Sequence, residues 1–181
     1  MSSFQIESEV VRKASKIKLI VLDNDGVFTD GRVYVTNNGG ESKAYDIRDG
    51  FGVVMARKLG IQFAIITGLL TPIVEYRAKQ LGIEELRQGF TDKLDLMKEL
   101  IAKYELDPEE VAYMGDDIFD LPVIKYVGFG AAPGDAYPLV KEGADWVSVN
   151  PGGRGAVREL IDFIVKARGE WDLVLKTYTG A

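Results

Sequence analysis

KLIVLDNDGVFTDG, residues 18–31, decides the fold. Its first six residues are an apolar run that stops at an acid. A run with no polar alternation reads as a strand covered on both faces, so Asp23 stands at a strand end. Asp25 follows two positions later. On a regular strand the two acids would share a face; where the chain bends at a strand end they separate, one free to ligate a cation and the other to face a leaving group. Carboxylates this close titrate together unless a cation neutralises them. Gly26 beside them reads as room for backbone to approach a substrate. An isolated Asp-x-Asp-Gly is commonly no more than an Asp-rich turn. What argues for a site is a second acidic cluster, Asp116, Asp117 and Asp120 in YMGDDIFDLP (113–122), again behind an apolar run. Asp120 lies one helical turn beyond Asp116, a spacing that suits one direct ligand and supports that orient it or the metal's waters. Helix capping is the competing reading for Asp116 and Asp117, and Asp30-Gly31 reads as a turn or cap pair.

The rest of the composition narrows the chemistry. The chain has no histidine and no cysteine, which excludes most zinc sites, serine triads and cysteine nucleophiles. What remains is oxygen chemistry on a divalent cation. At 181 residues and 46% hydrophobic content, a single domain over 1–181 is expected. A formal charge of −6 without a basic stripe argues against nucleic acid as partner. No apolar run approaches a bilayer span, and the first 16 residues lack the apolar core of a secretion signal. A soluble cytoplasmic protein is the expectation, and the lack of cysteine fits a reducing compartment.

Outward from residues 18–23, strands alternate with helices. Residues 6–15 form a leading helix. RVYV (32–35) and SKAYD (42–46) flank TNNGGE as a β-hairpin. Residues 50–59 read as a helix with Gly60 as C-cap, and IQFAIIT (61–67) as a second buried strand. PIVEYRAKQL (72–81) is a helix opened by Pro72 and stopped by Gly82. A short strand near 83–87, an amphipathic helix over 92–104, three short strands in VAYMGD, VGFGAA and DWVSV, and a helix over 155–169 complete the pattern. By periodicity the tail WDLVLKTYTGA reads as a frayed end. The alternation predicts an α/β fold, one three-layer Rossmann-like domain with a mostly parallel sheet and a small hairpin insertion.

Thr67 and Gly68 close the strand AIIT, where a hydroxyl and free N–H groups can hold a phosphate, although such a pair alone is usually a turn. Lys93 opens an amphipathic helix, a position where lysine is commonly solvent-facing. A phosphate site with this many acids nevertheless needs a side-chain cation.

In order, apolar-DxDGxxTD, apolar-TG, a lysine and GDDxxD resemble the haloacid dehalogenase superfamily of aspartyl-phosphate phosphatases, over nearly the whole chain. Within it, KAYDIRDGFG (43–52), VEYRAKQLGI (74–83), GDDIFDLP (115–122) and GGRGAVREL (152–160) resemble the 3-deoxy-D-manno-octulosonate 8-phosphate phosphatase group. The resemblance implies a phosphomonoester hydrolase of lipopolysaccharide precursor biosynthesis. It makes Asp23 the nucleophile and Asp25 the acid that protonates the departing sugar alkoxide and then the base that deprotonates water. Mg²⁺ would bind the side chains of Asp23 and Asp116 and the backbone carbonyl of Asp25, with Asp117 as support. Thr67, Gly68 and Lys93 would hold phosphoryl oxygens. Asp46, Ile47, Arg48, Asp49, Gly50 and Arg77 would contact the sugar acid, with Arg48 as a carboxylate clamp; an ordinary surface arginine is its competing reading. The resemblance further implies a homotetramer in which hairpins pack together and the tail reaches a neighbouring site. Residues 31–66 and 94–114 leave no space for a cap domain.

The chain departs from the group at Leu69 and Val54, where relatives often carry basic residues, and at Asn24, where an apolar residue is usual. Phosphoryl transfer is expected to survive these changes, but the sugar is less tightly specified. A phosphatase for a nonulosonate (sialic-acid-like) 9-phosphate is therefore the enzyme alternative. A non-catalytic oligomeric partner protein is the alternative of another class, against which both Asp23 and Asp25 are retained. A receiver domain would share an acidic pocket with Thr and Lys, but DxD and GDD at these strands argue against it.

Overall fold

The structure, a computed structural model, describes residues 3–180, with side chains described from Ser8 onward. Eight helices and eight strands alternate through it. Helix α1 (Ser3–Ala14) leads into β1 (Leu19–Leu22), and a tight turn over 24–28 leads out of it. The hairpin of β2 (Tyr34–Val35) and β3 (Glu41–Ser42) follows, then α2 (Ile47–Arg57), β4 (Gln62–Thr67), α3 (Pro72–Leu81), β5 (Glu85–Gln88) and α4 (Leu94–Lys103). The second half runs β6 (Val111–Met114), α5 (Leu121–Tyr126), β7 (Phe129–Ala132), α6 (Pro138–Gly143), β8 (Trp146–Val147), α7 (Ala156–Ala167) and α8 (Trp171–Thr179). The six longer-range strands form one parallel sheet in the order β5-β4-β1-β6-β7-β8, with the antiparallel hairpin apart from it.

The apolar runs are continuous because each strand buries both faces. Ile20, Leu22, Phe63, Ile65, Ala112 and Met114 face one core, shared with α1, α2, α3 and α7. Leu19, Val21, Ala64, Ile66, Val111 and Tyr113 alternate into the other, under α4, α5 and α6. Local chemistry places the helix ends: Thr71 Oγ1 accepts from Ile73 N at the start of α3, Pro72 opens the helix, and Gly82 ends it in the left-handed region.

The chain begins in the middle of the sheet, builds outward through β4 and β5, and returns through α4 to the other side of β1. Strand order therefore reverses beside β1, and a crevice opens at the carboxyl ends there. Leu22 pairs with Ile65 on one side and with Met114 on the other. This register delivers Asp23, Thr67 and Asp116 to nearly one level. Residues 31–61 are taken up by the hairpin and α2, and 94–114 by α4, a turn and β6, so no cap is inserted among the described residues.

Several elements differ from the sequence reading, among them two short helices, α5 and α6, that it did not place. The hairpin strands are only two residues long each, because no third strand covers them. Helix α2 starts at Ile47 rather than 50, since Asp46 caps it through Arg48 N at 2.7 Å; Gly60 lies beyond its end. The tail is a helix, α8, with Val174 buried and Tyr178 edge-on to Phe51 at 5.1 Å between ring centroids. Among the described residues no helix is long and apolar enough to cross a membrane.

Candidate active site

The carboxyl ends of β1 and β6 gather the acids. Asp23 is 2% exposed, and its N–H continues the ladder by donating to Met114 O at 3.0 Å. The chain then bends through Gly26 (φ 87°), where an added Cβ would fall 2.0 Å from Asp116 Oδ2. Gly26 is therefore needed for the Asp116 carboxylate; the expectation that it made room for substrate gives way to this contact.

Lys93, expected at the surface as a lone residue, is wholly buried. Its ammonium lies 2.7 Å from Asp120 Oδ1 and 3.0 Å from Asp23 Oδ1, and it donates to Tyr113 Oη at 3.2 Å. Asp120 is the hub of this arrangement. Tyr113 Oη donates to its Oδ1 at 2.6 Å, while the N–H groups of Asp116 and Asp117 donate to its Oδ2 at 3.0 and 3.1 Å. With all its acceptor capacity engaged, Asp120 holds its neighbours in place.

Asp23, Asp116 and Asp120 lie within 4.8 Å of one another, a grouping that could hold a metal ion. Two oxygens in it, Asp23 Oδ1 and Asp116 Oδ1, are buried without a hydrogen-bond partner. The Lys93 contact with Asp23 is close in distance but off the hydrogen-bond direction. Orphaned buried acceptors are costly, and two on adjacent carboxylates fit a hard divalent cation. Asp120 is excluded as a ligand by its four existing contacts. Burial, resisted by Lys93 and reinforced by Asp120, raises the Asp23 pKa to about 7. Burial and then the charges of Asp23, Asp120 and Asp117 raise Asp116 to about 8.

Asp25 is held by a different set. Lys43 Nζ, on a side chain with 0% exposure, donates to its two oxygens at 2.6 and 2.8 Å. Asn24, fully buried, donates to Asp25 Oδ1 at 3.1 Å and accepts from Tyr45 Oη at 3.0 Å. Burial pushes the Tyr45 hydroxyl up to about 12, so it remains a donor. Asn24 thus does more than flank the acids.

Thr67 is buried at the end of β4, with Gly68 next to it. Asp117 caps the turn over 118–120 through Ile118 N at 2.7 Å, so its Oδ1 already has a structural task. Asp30 accepts from Arg32 N at 3.2 Å, the turn role expected of it.

The residues expected to meet the sugar are less closely assembled. Arg48 is 67% exposed and pairs with Asp46 at 2.7 Å, while its Nη2 also donates to Arg154 O at 3.1 Å. Ile47 is open to solvent. Asp49 is buried and turned to α7, accepting from Arg158 N at 2.7 Å and Gly155 N at 3.2 Å; burial raises it to about 6. Its carboxylate is committed to a helix start. Arg77 lies over the Tyr45 ring at 5.3 Å, keeps a buried unpartnered Nε, and occupies the space that a Cβ on Gly50 would need.

Lys43, Tyr45 and Tyr113 were not among the candidate site residues, and Asp120 was read only as a possible support within its cluster. Asp120 had a signal, its spacing from Asp116. The other three gain their meaning only from contacts across the fold.

A parallel α/β sheet with an acid-and-lysine cluster at its switch point places the chain in a class. It belongs to the haloacid dehalogenase-like hydrolases, the family that matches residues 58–160. Over 167 residues it is 46% identical to 3-deoxy-D-manno-octulosonate 8-phosphate phosphatase of Escherichia coli (strain K12), covering 92% of this chain and 89% of the relative. The phosphatase of that name from Moraxella catarrhalis, solved with magnesium ion, phosphate ion and KDO, superposes with a TM-score of 0.92 at 36% identity, covering 94% of this chain and 98% of that one. The cobalt-bound deoxy-D-mannose-octulosonate 8-phosphate phosphatase from Haemophilus influenzae gives 0.84 at 37% identity, over 87% and 92%.

Proposed function

We propose that this chain is a Mg²⁺-dependent phosphomonoester hydrolase acting on 3-deoxy-D-manno-octulosonate 8-phosphate through an aspartyl-phosphate. One observation carries the reading: a buried carboxylate, Asp23, at the central strand end, with a buried ammonium 3.0 Å away and one unpartnered buried oxygen on each of Asp23 and Asp116. The 46% identity to the Escherichia coli phosphatase supports the choice of substrate.

Asp23 attacks phosphorus; its P–O bond forms as the ester P–O bond to the sugar breaks. Asp25 supplies the proton that the leaving alkoxide takes. A water then attacks the phosphorus of the aspartyl-phosphate while Asp25 takes its proton, releasing inorganic phosphate and restoring Asp23. Lys93, fixed by Asp120 and Tyr113, offers its charge to the phosphoryl oxygens together with Thr67 and the Gly68 backbone. The side chains of Asp23 and Asp116 and the Asp25 carbonyl would hold Mg²⁺, with Asp117 as support, and the ion would supply charge neutralisation and Lewis acidity for the phosphoryl group. Arg48, Arg77 and the Asp46–Gly50 segment select the sugar acid. The working form is a cytoplasmic homotetramer whose hairpins and tails border neighbouring sites.

Leu69 and Val54, both exposed, favour a second reading in which a nonulosonate 9-phosphate is the substrate. Purified protein assayed on both sugar-acid phosphates and on p-nitrophenyl phosphate, with Mg²⁺ and with chelator, decides. The expected result is the highest kcat/KM on the eight-carbon substrate and loss of all activity with chelator. A higher value on the nine-carbon substrate would transfer the assignment.

A further inference from the structure

The segment that follows β3 carries two side chains that have no part in the proposed reaction: Lys43 ends at Asp25, and Tyr45 ends at Asn24, which in turn holds Asp25. Lys43 and Tyr45 are two positions apart on an extended segment, which puts them on one side of it, while Ala44 between them faces solvent. A single bridge, Thr29 to Tyr45, pins this segment against the loop that bears Asp25. From it Lys43 Nζ reaches both carboxylate oxygens, at 2.6 and 2.8 Å. Tyr45 Oη fixes Asn24 Oδ1 at 3.0 Å, and Asn24 Nδ2 fixes Asp25 Oδ1 at 3.1 Å. Tyr45 is itself packed, edge-on to Phe28 at 6.2 Å and beneath the Arg77 guanidinium at 5.3 Å. The surrounding hairpin is exposed, but the Lys43 side chain is not. Surface lysines rarely give up their hydration; this one does so only to grip an aspartate from two directions.

We propose that Lys43, and Tyr45 acting through Asn24, are positioning residues that aim the Asp25 carboxylate at the leaving-group oxygen, so that the hairpin belongs to the catalytic apparatus. This rests on the acid–base role proposed for Asp25. Proton transfer depends on a heavy-atom approach of about 2.6–3.2 Å, and a carboxylate on a free χ1–χ2 rotor spends little time there. Lys43 touches neither the phosphoryl group nor the nucleophile in this scheme; it acts on the rate through Asp25 alone.

The test is a leaving-group series, alkyl and aryl phosphates including the sugar-acid phosphate and p-nitrophenyl phosphate, on wild type, Lys43→Met, Lys43→Arg, Tyr45→Phe, Asp25→Asn and the double variant Lys43→Met/Asp25→Asn. A positioned general acid is worth roughly 10²–10⁴ in rate, and losing its aim should remove about 10- to 100-fold of that for alkyl esters. Lys43→Met should therefore lower kcat on alkyl phosphates by that factor, leave aryl phosphates within about threefold, and leave KM nearly unchanged. Lys43→Arg should recover most of the loss, and Tyr45→Phe should show the same pattern more weakly. On the Asp25→Asn background Lys43→Met should cost nothing further.

Equal losses on alkyl and aryl esters would overturn the proposal, as would a Lys43→Met effect that persists on the Asp25→Asn background, which would make Lys43 a substrate contact. If Lys43→Met does not fold by circular dichroism, Lys43→Gln and Tyr45→Phe carry the same comparison. Wild type that hydrolyses other alkyl phosphates but not the sugar-acid phosphate defeats the substrate assignment and leaves the clamp testable. Equal alkyl and aryl losses in Asp25→Asn alone defeat the acid role, and the clamp with it. A chain inactive on every phosphomonoester defeats both.

Discussion

The two ends of the site are built in opposite ways. At the phosphate end, Asp23, Lys93, Tyr113 and Asp120 are buried at the mouth of a parallel sheet and linked by contacts of 2.6–3.2 Å. At the end proposed to meet the sugar, Arg48 is 67% exposed, its ion pair is with its own helix cap, and Ile47, Leu69 and Leu70 stand open to solvent. The first region is held by the core and cannot shift without unfolding. The second is held by Asp46 at the helix start and by hydrogen bonds of Arg48 and Asp49 to Arg154, Gly155 and Arg158. The buried cluster is tied together across the sheet by several partners, whereas the start of α2 presents Ile47 and Arg48 to solvent.

Asp23→Asn tests that contrast most severely. It should cut turnover by about 10³-fold or more, as removal of a nucleophile does, with only a modest change in melting temperature, because the ion pair with Lys93 is lost while Asp120 still holds that ammonium. Rapid-quench mass spectrometry should find no phosphoenzyme, and full activity in verified, undeamidated protein would end the covalent scheme. Asp120→Ala should strike the fold instead. It strips the buried Lys93 of its closest partner and frees two backbone N–H groups, a loss of about 3–5 kcal/mol, readable as a lower urea midpoint at unchanged slope.

A third test uses pH. Because the metal-free fold holds Asp23 at about 7 and Asp116 at about 8, above their unfolded values, the native chain binds more protons than the unfolded one between about pH 4 and 8. Its stability should fall as pH rises through that window. Mg²⁺ binds the ionised pair, so the rise in melting temperature on adding Mg²⁺ should be larger at pH 8.5 than at pH 6. A rise independent of pH would place the ion elsewhere.

Arg48→Ala should have the smallest effect. An exposed pair screened by solvent contributes little, so melting should barely move. Activity on the sugar-acid phosphate should fall about tenfold, largely in KM, with p-nitrophenyl phosphate spared. Equal losses on both substrates with a clear drop in stability would make Arg48 part of the scaffold and erase the distinction between the two ends.

The same contrast explains what could be read from the sequence. The strand ends at Asp23 and Asp116 were legible because a strand buried on both faces is an apolar run, and an acid that ends one stands out. The helix over 72–81 was legible because Thr71, Pro72 and Gly82 mark it locally. Asp49 was not, since its partners, Gly155 and Arg158, come from the far end of the chain. Lys43 was not legible either, because a lysine beside a hairpin is ordinary until a turn brings Asp25 to it. Helix α8 was missed because its apolar positions, Val174 and Trp171, make sense only against the core that receives them.

The order of the strands also bears on how the protein comes to life on the ribosome. Strand β1 leaves first, yet one of its two neighbours is β6, which begins only at Val111, and the Asp116 carboxylate nests against Gly26 from that same distant half. Until residues 111–120 have emerged, Asp23 has neither its backbone partner at Met114 nor the aspartate that positions Lys93. A nascent or truncated chain ending before that point carries the reactive carboxylate unassembled. The acidic cluster is therefore complete only when both halves of the sheet are together.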